Sequence, residues 1–364
     1  MRLGVAAAVV EGTLVRGDVE IDGDLVGAVG LGGGGSGIAI PGLVDLQVNG
    51  FAGVDLLHAT AGDVHAVGVA LARTGVLWYQ PTLITAPPRL TRLALATLGE
   101  AIGGPGARIV GAHLEGPFLS PRRAGAHPRE HLRAPDLDLL ASFLLSGCPV
   151  TTVTLAPELE RAGEMIDALV ARGVVVSLGH TDASAAAAQA AFGRGARTVT
   201  HLFDAMRPFA HRDPGVAGAA LARDDIVVQL IADGVHLAPE AILTAWRASR
   251  GRIVLVSDTI AAAGLGDGSF RLGAVEVTVA GGVPRSEDGT LAGAVRPLAW
   301  GLLALVELGV PVVEAVDAVT RTPARVLGRA GEIAVLRPGA QADVVVLDDA
   351  FAVERVLLGG VPVD

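Results

Sequence analysis

At 364 residues the chain is long enough for one large α/β domain with a small appendage, or for two domains. It is 51 % apolar but only 3 % aromatic, so a core must be built from Ala, Val and Leu, and its single cysteine, Cys148 in a Gly-Cys-Pro turn, excludes an internal disulfide and a thiolate metal site. A net charge of −10 argues against nucleic acid as a partner, and a sequence without lysine can form neither a Schiff base nor a carboxylated lysine bridging two metals.

The apolar start, MRLGVAAAVV, stops at Glu11 and is too short for a secretory signal. No run is long enough to span a bilayer, so a soluble cytoplasmic protein with no membrane partner is expected. Residues 1–40 read as short strands turning at Asp22-Gly23 and Gly27. The glycine-rich stretch 32–37 runs into Ile38-Ala39-Ile40-Pro41, which is extended. A phosphate loop would open a helix, so this stretch reads as a flexible link.

Eight β-rich runs follow, at 43–48, 75–84, 108–114, 150–155, 173–178, 197–200, 226–232 and 252–256. Helical patterns separate most of them, among them 136–146, 158–172, 183–192 and 239–250. Eight such alternations predict a (β/α)8 TIM barrel. An open doubly wound sheet is disfavoured, because no G-x-G-x-x-G turn follows the first strand. Residues 268–292, turning at Gly281-Gly282 and Asp288-Gly289, read as a hairpin inserted after the eighth strand. Two helices, 297–308 and 312–327, then close the barrel region. The last stretch, 342–363, returns to short strands around a Gly-Gly turn. The predicted division is a small β-sandwich domain from 1–40 plus 335–364, and a barrel domain over 41–334.

In a parallel βαβ unit both strands point the same way, and in a barrel their C-terminal ends carry the chemistry. The segment GVVVSLGHTDASAAAAQAAFGRGARTVTHLFDAM, 173–206, is such a unit, with His180 past one strand and His201 past the next. The other strand ends carry Gln47 and Asn49, His113 and Glu115, Asp233 and His236, and Asp258. Glu115, His180 and His201 make a zinc-type set of one carboxylate and two imidazoles with a position open for water. A metal so held lowers the pKa of its water and polarises a carbonyl. Asp258 then suits a general base that passes the water's proton to a leaving amine. His236 and His127 could orient substrate or stabilise an oxyanion, or be structural. Arg212, in the turn His211-Arg212-Asp213-Pro214, is a candidate anion binder or a solvated surface arginine. His58, His65 and His131 read as surface groups.

The chain resembles the N-acetylglucosamine-6-phosphate deacetylases of the amidohydrolase superfamily over nearly its whole length. The motifs are PGLVDLQVNG (41–50), PTLIT (81–85), HLEGPFLSP (113–121), Gly125-Ala126-His127, VTLAPE (153–158), SLGHTDA (177–183), THLFDAM (200–206), HRDPGVAG (211–218), IADGVHL (231–237), VSDTIAAAG (256–264) and GTLAG (289–293). The resemblance implies hydrolysis of the acetamide of N-acetyl-D-glucosamine 6-phosphate to glucosamine 6-phosphate and acetate, in amino-sugar catabolism. It implies Glu115, His180 and His201 as ligands of one divalent metal per subunit. Zinc is the first expectation, and iron, cobalt and manganese can use the same donors. Asp258 would be the general base. His127 would contact the acetyl group, His236 the sugar, and Leu291 of GTLAG and Asp204 the bound substrate. The phosphate would be held by the backbone near Ala205 and Met206 and by Arg212, reaching in from a neighbouring subunit, which implies a homodimer.

Two departures stand out. Many amidohydrolases open with a His-x-His pair for a second metal. Here those positions hold Gln47 and Asn49, which fits the single-metal branch. The family usually has Asn where this chain has Asp204, and a carboxylate beside a phosphate repels it by roughly a kcal/mol or more. That favours, as the alternative, deacetylation of an unphosphorylated or epimeric N-acyl amino sugar or another N-acyl amine. Thr259, where Ala is usual after the base, is a milder change.

Overall fold

The computed structural model describes all 364 residues. Eight parallel strands make the barrel: Leu43–Val48, Val76–Ile84, Ala112–Glu115, Val150–Leu155, Val175–Leu178, Thr198–Val199, Val227–Leu230 and Ile253–Leu255. They pair in chain order, and the seam is closed where Asp258 donates its N–H to the Gln47 carbonyl at 2.9 Å and Val48 bridges Thr259. The (β/α)8 expectation is thus met, because each strand is buried on both faces and each following helix turns one apolar stripe onto it.

The barrel interior is polar. Gln80 donates to Thr151 and Thr152, His113 meets Thr154 at 2.7 Å, and Thr154 meets Thr200 at 2.7 Å. These groups are at most 2 % exposed apart from Thr151, and all are hydrogen-bonded, so a fixed network of short side chains lies beneath the site.

Strands from the two chain ends meet in a six-stranded sheet in which Ile38–Pro41 pairs with both Ala7–Val10 and Val344–Leu347. With the hairpin Asp18–Asp22 and Leu25–Leu31 it encloses a separate core of Leu3, Val5, Val19, Ile21, Val344 and their neighbours.

Within the exposed stretch 32–36 the backbone runs close to the N-terminal segment at two points: a Cβ on Gly34 would stand 2.0 Å from the Val5 carbonyl oxygen and one on Gly35 2.4 Å from that of Gly4. Three details correct the sequence reading. The run 108–114 is two pieces, Arg108–Ile109 and Ala112–Glu115, because Gly111 at φ +110° breaks the extended backbone. The insertion is a three-stranded sheet, Gly268–Leu272, Val275–Ala280 and Val283–Ser286, rather than a hairpin. Its extra turn lies at Gly273, φ +57°, where the sequence shows only one glycine. The run 312–327 is two helices, Val312–Val319 and Arg321–Val326, parted at Thr320, whose φ/ψ of −134°/−85° is not helical.

Candidate active site

The strand ends converge as the spacing requires. Asn49, Glu115, His127, His180, His201, Asp204, Ala205, His236, Asp258 and Leu291 line one cavity of about 420 Å³ at the C-terminal mouth. Gln47 lies directly beneath, fully buried. His113 does not reach the cavity. It shares a face with Glu115 but sits one layer deeper, bonded to Thr154 and Thr82, and burial pushes it down to about 4. Met206 is buried beside the site with its sulfur accepting the Phe203 N–H at 3.3 Å. Arg212 is exposed, makes no ion pair within its own chain and does not line the cavity.

Local backbone geometry aims the reactive groups. His180, His201 and Asp258 all have positive φ, at 47°, 29° and 52°. The left-handed region costs a residue with a Cβ about 1–3 kcal/mol, and such strain concentrates at functional sites. Surrounding bonds hold it: Ser120 N–H on the His180 carbonyl at 2.9 Å, Thr181 N–H on Ala205 at 3.2 Å, Leu202 N–H on Gln229 at 2.7 Å. Gly179 has to be glycine, since a Cβ there would lie 2.8 Å from Thr154 and 2.9 Å from Thr200.

Glu115 Oε1 lies 2.9 Å from His201 Nε2 and 3.3 Å from His180 Nε2, and the two Nε2 atoms are 3.1 Å apart. Ligand atoms about 2.0–2.1 Å from a tetrahedral zinc are spaced about 3.4 Å from one another, so this triangle fits a metal. His180 Nδ1 donates to the Arg123 carbonyl at 2.9 Å, which leaves its Nε2 lone pair facing inward. Ligating atoms of Glu115, His127 and His180 also lie within 4.8 Å of one another. His127 Nδ1 accepts the Thr85 backbone N–H at 3.2 Å, which places its proton on Nε2, 3.6 Å from Glu115 Oε2.

The field at this point attracts positive charge. Burial works to raise Glu115, but hydrogen bonds from His127, His180 and His201 outweigh it and hold the carboxyl well below its usual range. Burial lowers His201, yet Glu115 beside it pushes it up to about 9, while burial and its imidazole neighbours push His180 down to about 4. Burial, with the Glu115 charge added, pushes Asp258 up to about 7, which suits proton transfer near neutrality. On the far wall Asp233 Oδ2 holds His236 Nδ1 at 3.0 Å. That pairing outweighs burial, raising the histidine and lowering the carboxyl. Asp204 is pushed up to about 6 by burial, and its Oδ2 has no hydrogen-bond partner.

Two contributions escape the sequence reading. Thr85 fixes the His127 tautomer through a backbone N–H, which no side-chain pattern reveals. Leu272 and Arg285, from the inserted sheet, form part of the cavity wall. The only signal for them was the neighbouring GTLAG motif.

A parallel barrel with one carboxylate and two imidazoles at its mouth and a raised aspartate across from them is the architecture of a metal-dependent hydrolase. The model of the amidohydrolase family matches residues 38–363, and the chain belongs to that family. It is 41 % identical to the human N-acetylglucosamine-6-phosphate deacetylase over 340 residues, 90 % of this chain and 83 % of that one. It is 37 % identical to the N-acetylgalactosamine-6-phosphate deacetylase of Escherichia coli O157:H7, covering 88 % and 86 % of the two chains. A mutant N-acetyl-D-glucosamine-6-phosphate deacetylase from Mycobacterium smegmatis, solved in complex with N-acetyl-D-glucosamine-6-phosphate, superposes with a TM-score of 0.93 at 35 % identity over 100 % of this chain and 99 % of that one.

Proposed function

We propose that this protein hydrolyses the acetamide of N-acetyl-D-glucosamine 6-phosphate, releasing acetate and D-glucosamine 6-phosphate. The observation that carries this reading is the Glu115–His180–His201 donor triangle facing Asp258 across one cavity. The three donors would hold one divalent cation, zinc in the first instance, which when bound supplies Lewis-acid activation of a water and of the amide carbonyl. The His127 Nε2–H donates to the acetyl oxygen as negative charge develops there. Asp258 takes a proton from the attacking water, the water oxygen bonds to the carbonyl carbon, the C–N bond breaks, and Asp258 returns the proton to the departing nitrogen. His236, held by Asp233, takes a sugar hydroxyl, and Asp204, Ala205, Met206 and Leu291 shape the sugar subsite.

Because Arg212 is exposed and does not line its own cavity, the reading includes a homodimer in which Arg212 enters the partner's site to meet the 6-phosphate. No helix is long and apolar enough to cross a membrane, and a cytoplasmic location suits a phosphorylated substrate. The reading keeps 41–334 as the catalytic barrel and 1–40 with 335–364 as a β unit that closes its base. Elemental analysis of the purified protein and detection of the freed amine test it: one metal per subunit, and amine appearing in step with acetate.

A second reading rests on Asp204. Its unpartnered, buried Oδ2 suits a hydroxyl better than a phosphate, which favours an unphosphorylated or epimeric N-acetyl hexosamine. Asp204→Asn separates the two: a gain of roughly tenfold or more in preference for the 6-phosphate would show that the carboxylate selects against it.

A further inference from the structure

Strand one ends at two amides, and both are committed. Positions 47 and 49 share one face of the strand, and its backbone is stitched to the end of strand eight by Asp258 N–H on the Gln47 carbonyl and Asn49 N–H on the Thr259 carbonyl, 2.9 and 2.8 Å. From there Gln47 Nε2 donates to Glu115 Oε1 at 3.1 Å, the same oxygen that faces His180 and His201. Asn49 Nδ2 donates to Asp258 Oδ1 at 2.7 Å. The other atom of each amide, Gln47 Oε1 and Asn49 Oδ1, is buried with no partner. Turning either amide over would not satisfy it, because an amide oxygen would then face a carboxylate oxygen at those same distances. The carboxylates therefore decide which way the amides point, and the fold leaves two buried carbonyls unpaired in exchange.

We propose that Gln47 and Asn49 are positioning residues for the two carboxylates of the reaction. The inference rests on the deacetylase reading for Asp258 and on the metal reading for Glu115. Asn49 occupies Asp258 Oδ1 with a hydrogen that it cannot give up. Oδ2, on a residue that lines the cavity, is left as the one oxygen that receives the water's proton and returns it to nitrogen. The proton is thus taken and delivered at one fixed position. Gln47 pins Glu115 Oε1 between the two imidazoles, setting the carboxylate's rotation before any cation arrives. An amide is suited to both tasks because it donates without carrying charge, so it neither neutralises the carboxylate nor competes for its proton.

Two substitutions test the Asn49 half and one tests the Gln47 half. Asn49→Asp keeps shape but replaces the donor by an acceptor, and Asn49→Ala removes it. The expected result is a fall in kcat of about 100-fold for the first and about 10-fold for the second, with KM for N-acetylglucosamine 6-phosphate within about threefold and bound metal unchanged. Gln47→Leu keeps bulk without a donor, and its expected effect is a 10–100-fold weaker zinc affinity, read by chelator competition without any turnover. A kcat within threefold of wild type in both Asn49 variants, or an unchanged zinc affinity in Gln47→Leu, would overturn the proposal for that residue. Should wild type release no acetate, the deacetylase reading fails, while the chelator measurement still decides the role of Gln47. Melting temperatures within a few degrees of wild type separate positioning from misfolding.

Discussion

At the scale of single residues, the site depends on where buried charge is tolerated. Asp258 sits among carboxylates and imidazoles with its pKa up to about 7, so its basic form appears only as pH rises through neutrality. Asp258→Asn retains the shape and the approach to Asn49 but removes the proton acceptor. It should cut kcat by about 10²–10⁴-fold while leaving substrate affinity near that of wild type, as read by steady-state kinetics and substrate titration. Asp45, two residues before Gln47, allows a separate test on stability. Burial pushes it up to about 6, and its Oδ2 has no partner. Its folded pKa is raised, so native protein holds this proton more tightly than unfolded chain does. The contribution is full below about pH 4 and is lost as pH rises through about 6, to a total on the order of 3 kcal/mol. Asp45→Asn removes that loss. Its melting temperature should therefore gain on wild type between pH 4 and pH 7, and a constant gap would contradict the assignment.

The histidines and carboxylates that line the cavity were legible in the sequence because such a residue just past a β-branched run is placed by the geometry of a parallel strand. His113 shows the limit of that reading. It has the same parity as Glu115, so it too faces inward, but depth along the barrel axis separates a ligand from an interior hydrogen-bonding group, and a linear pattern does not record depth. The His127 tautomer was hidden for another reason, since a backbone N–H fixes it.

At the scale of elements, glycines set the strand ends. Gly179 lets strand five pass Thr154 and Thr200 before His180 turns to positive φ. Gly179→Ala would force the strand outward and move His180 off the triangle. We expect zinc affinity to fall by about tenfold or more in chelator competition, with the barrel still folded by circular dichroism. Element existence was clear wherever the apolar run was long, as at 43–48 and 150–155, whose bounds match. Element breaks were less clear. Gly111 and Thr320 interrupt runs whose side chains continue the pattern on both sides, because backbone dihedrals rather than composition end them. The third strand of the insertion was missed because its turn at Gly273 has a single glycine, whereas Gly281-Gly282 announces itself.

At the scale of the whole molecule, the barrel and the sheet formed by both chain ends follow from strand count and from the β-rich composition at each terminus. How copies of the chain associate is not a property of one chain's periodicity, and the place of Arg212 rests on the resemblance together with its exposure. A cation held by residues from strands three, five and six ties those strands together, and a ligand bound only by native protein stabilises it in proportion to its concentration. Stripping the protein with a chelator should therefore lower its melting temperature by several degrees, and added zinc should restore both the temperature and turnover. A melting temperature indifferent to chelator would count against the triangle as a metal site.

The measurement that bears most directly on the account is acetate release by zinc-loaded protein given N-acetylglucosamine 6-phosphate, its galacto epimer, and unphosphorylated N-acetylglucosamine in parallel. The account predicts rapid release from N-acetylglucosamine 6-phosphate, at least tenfold slower release from the unphosphorylated sugar, and loss of both in Asp258→Asn. No release from any of the three, with one metal bound per subunit, would contradict it.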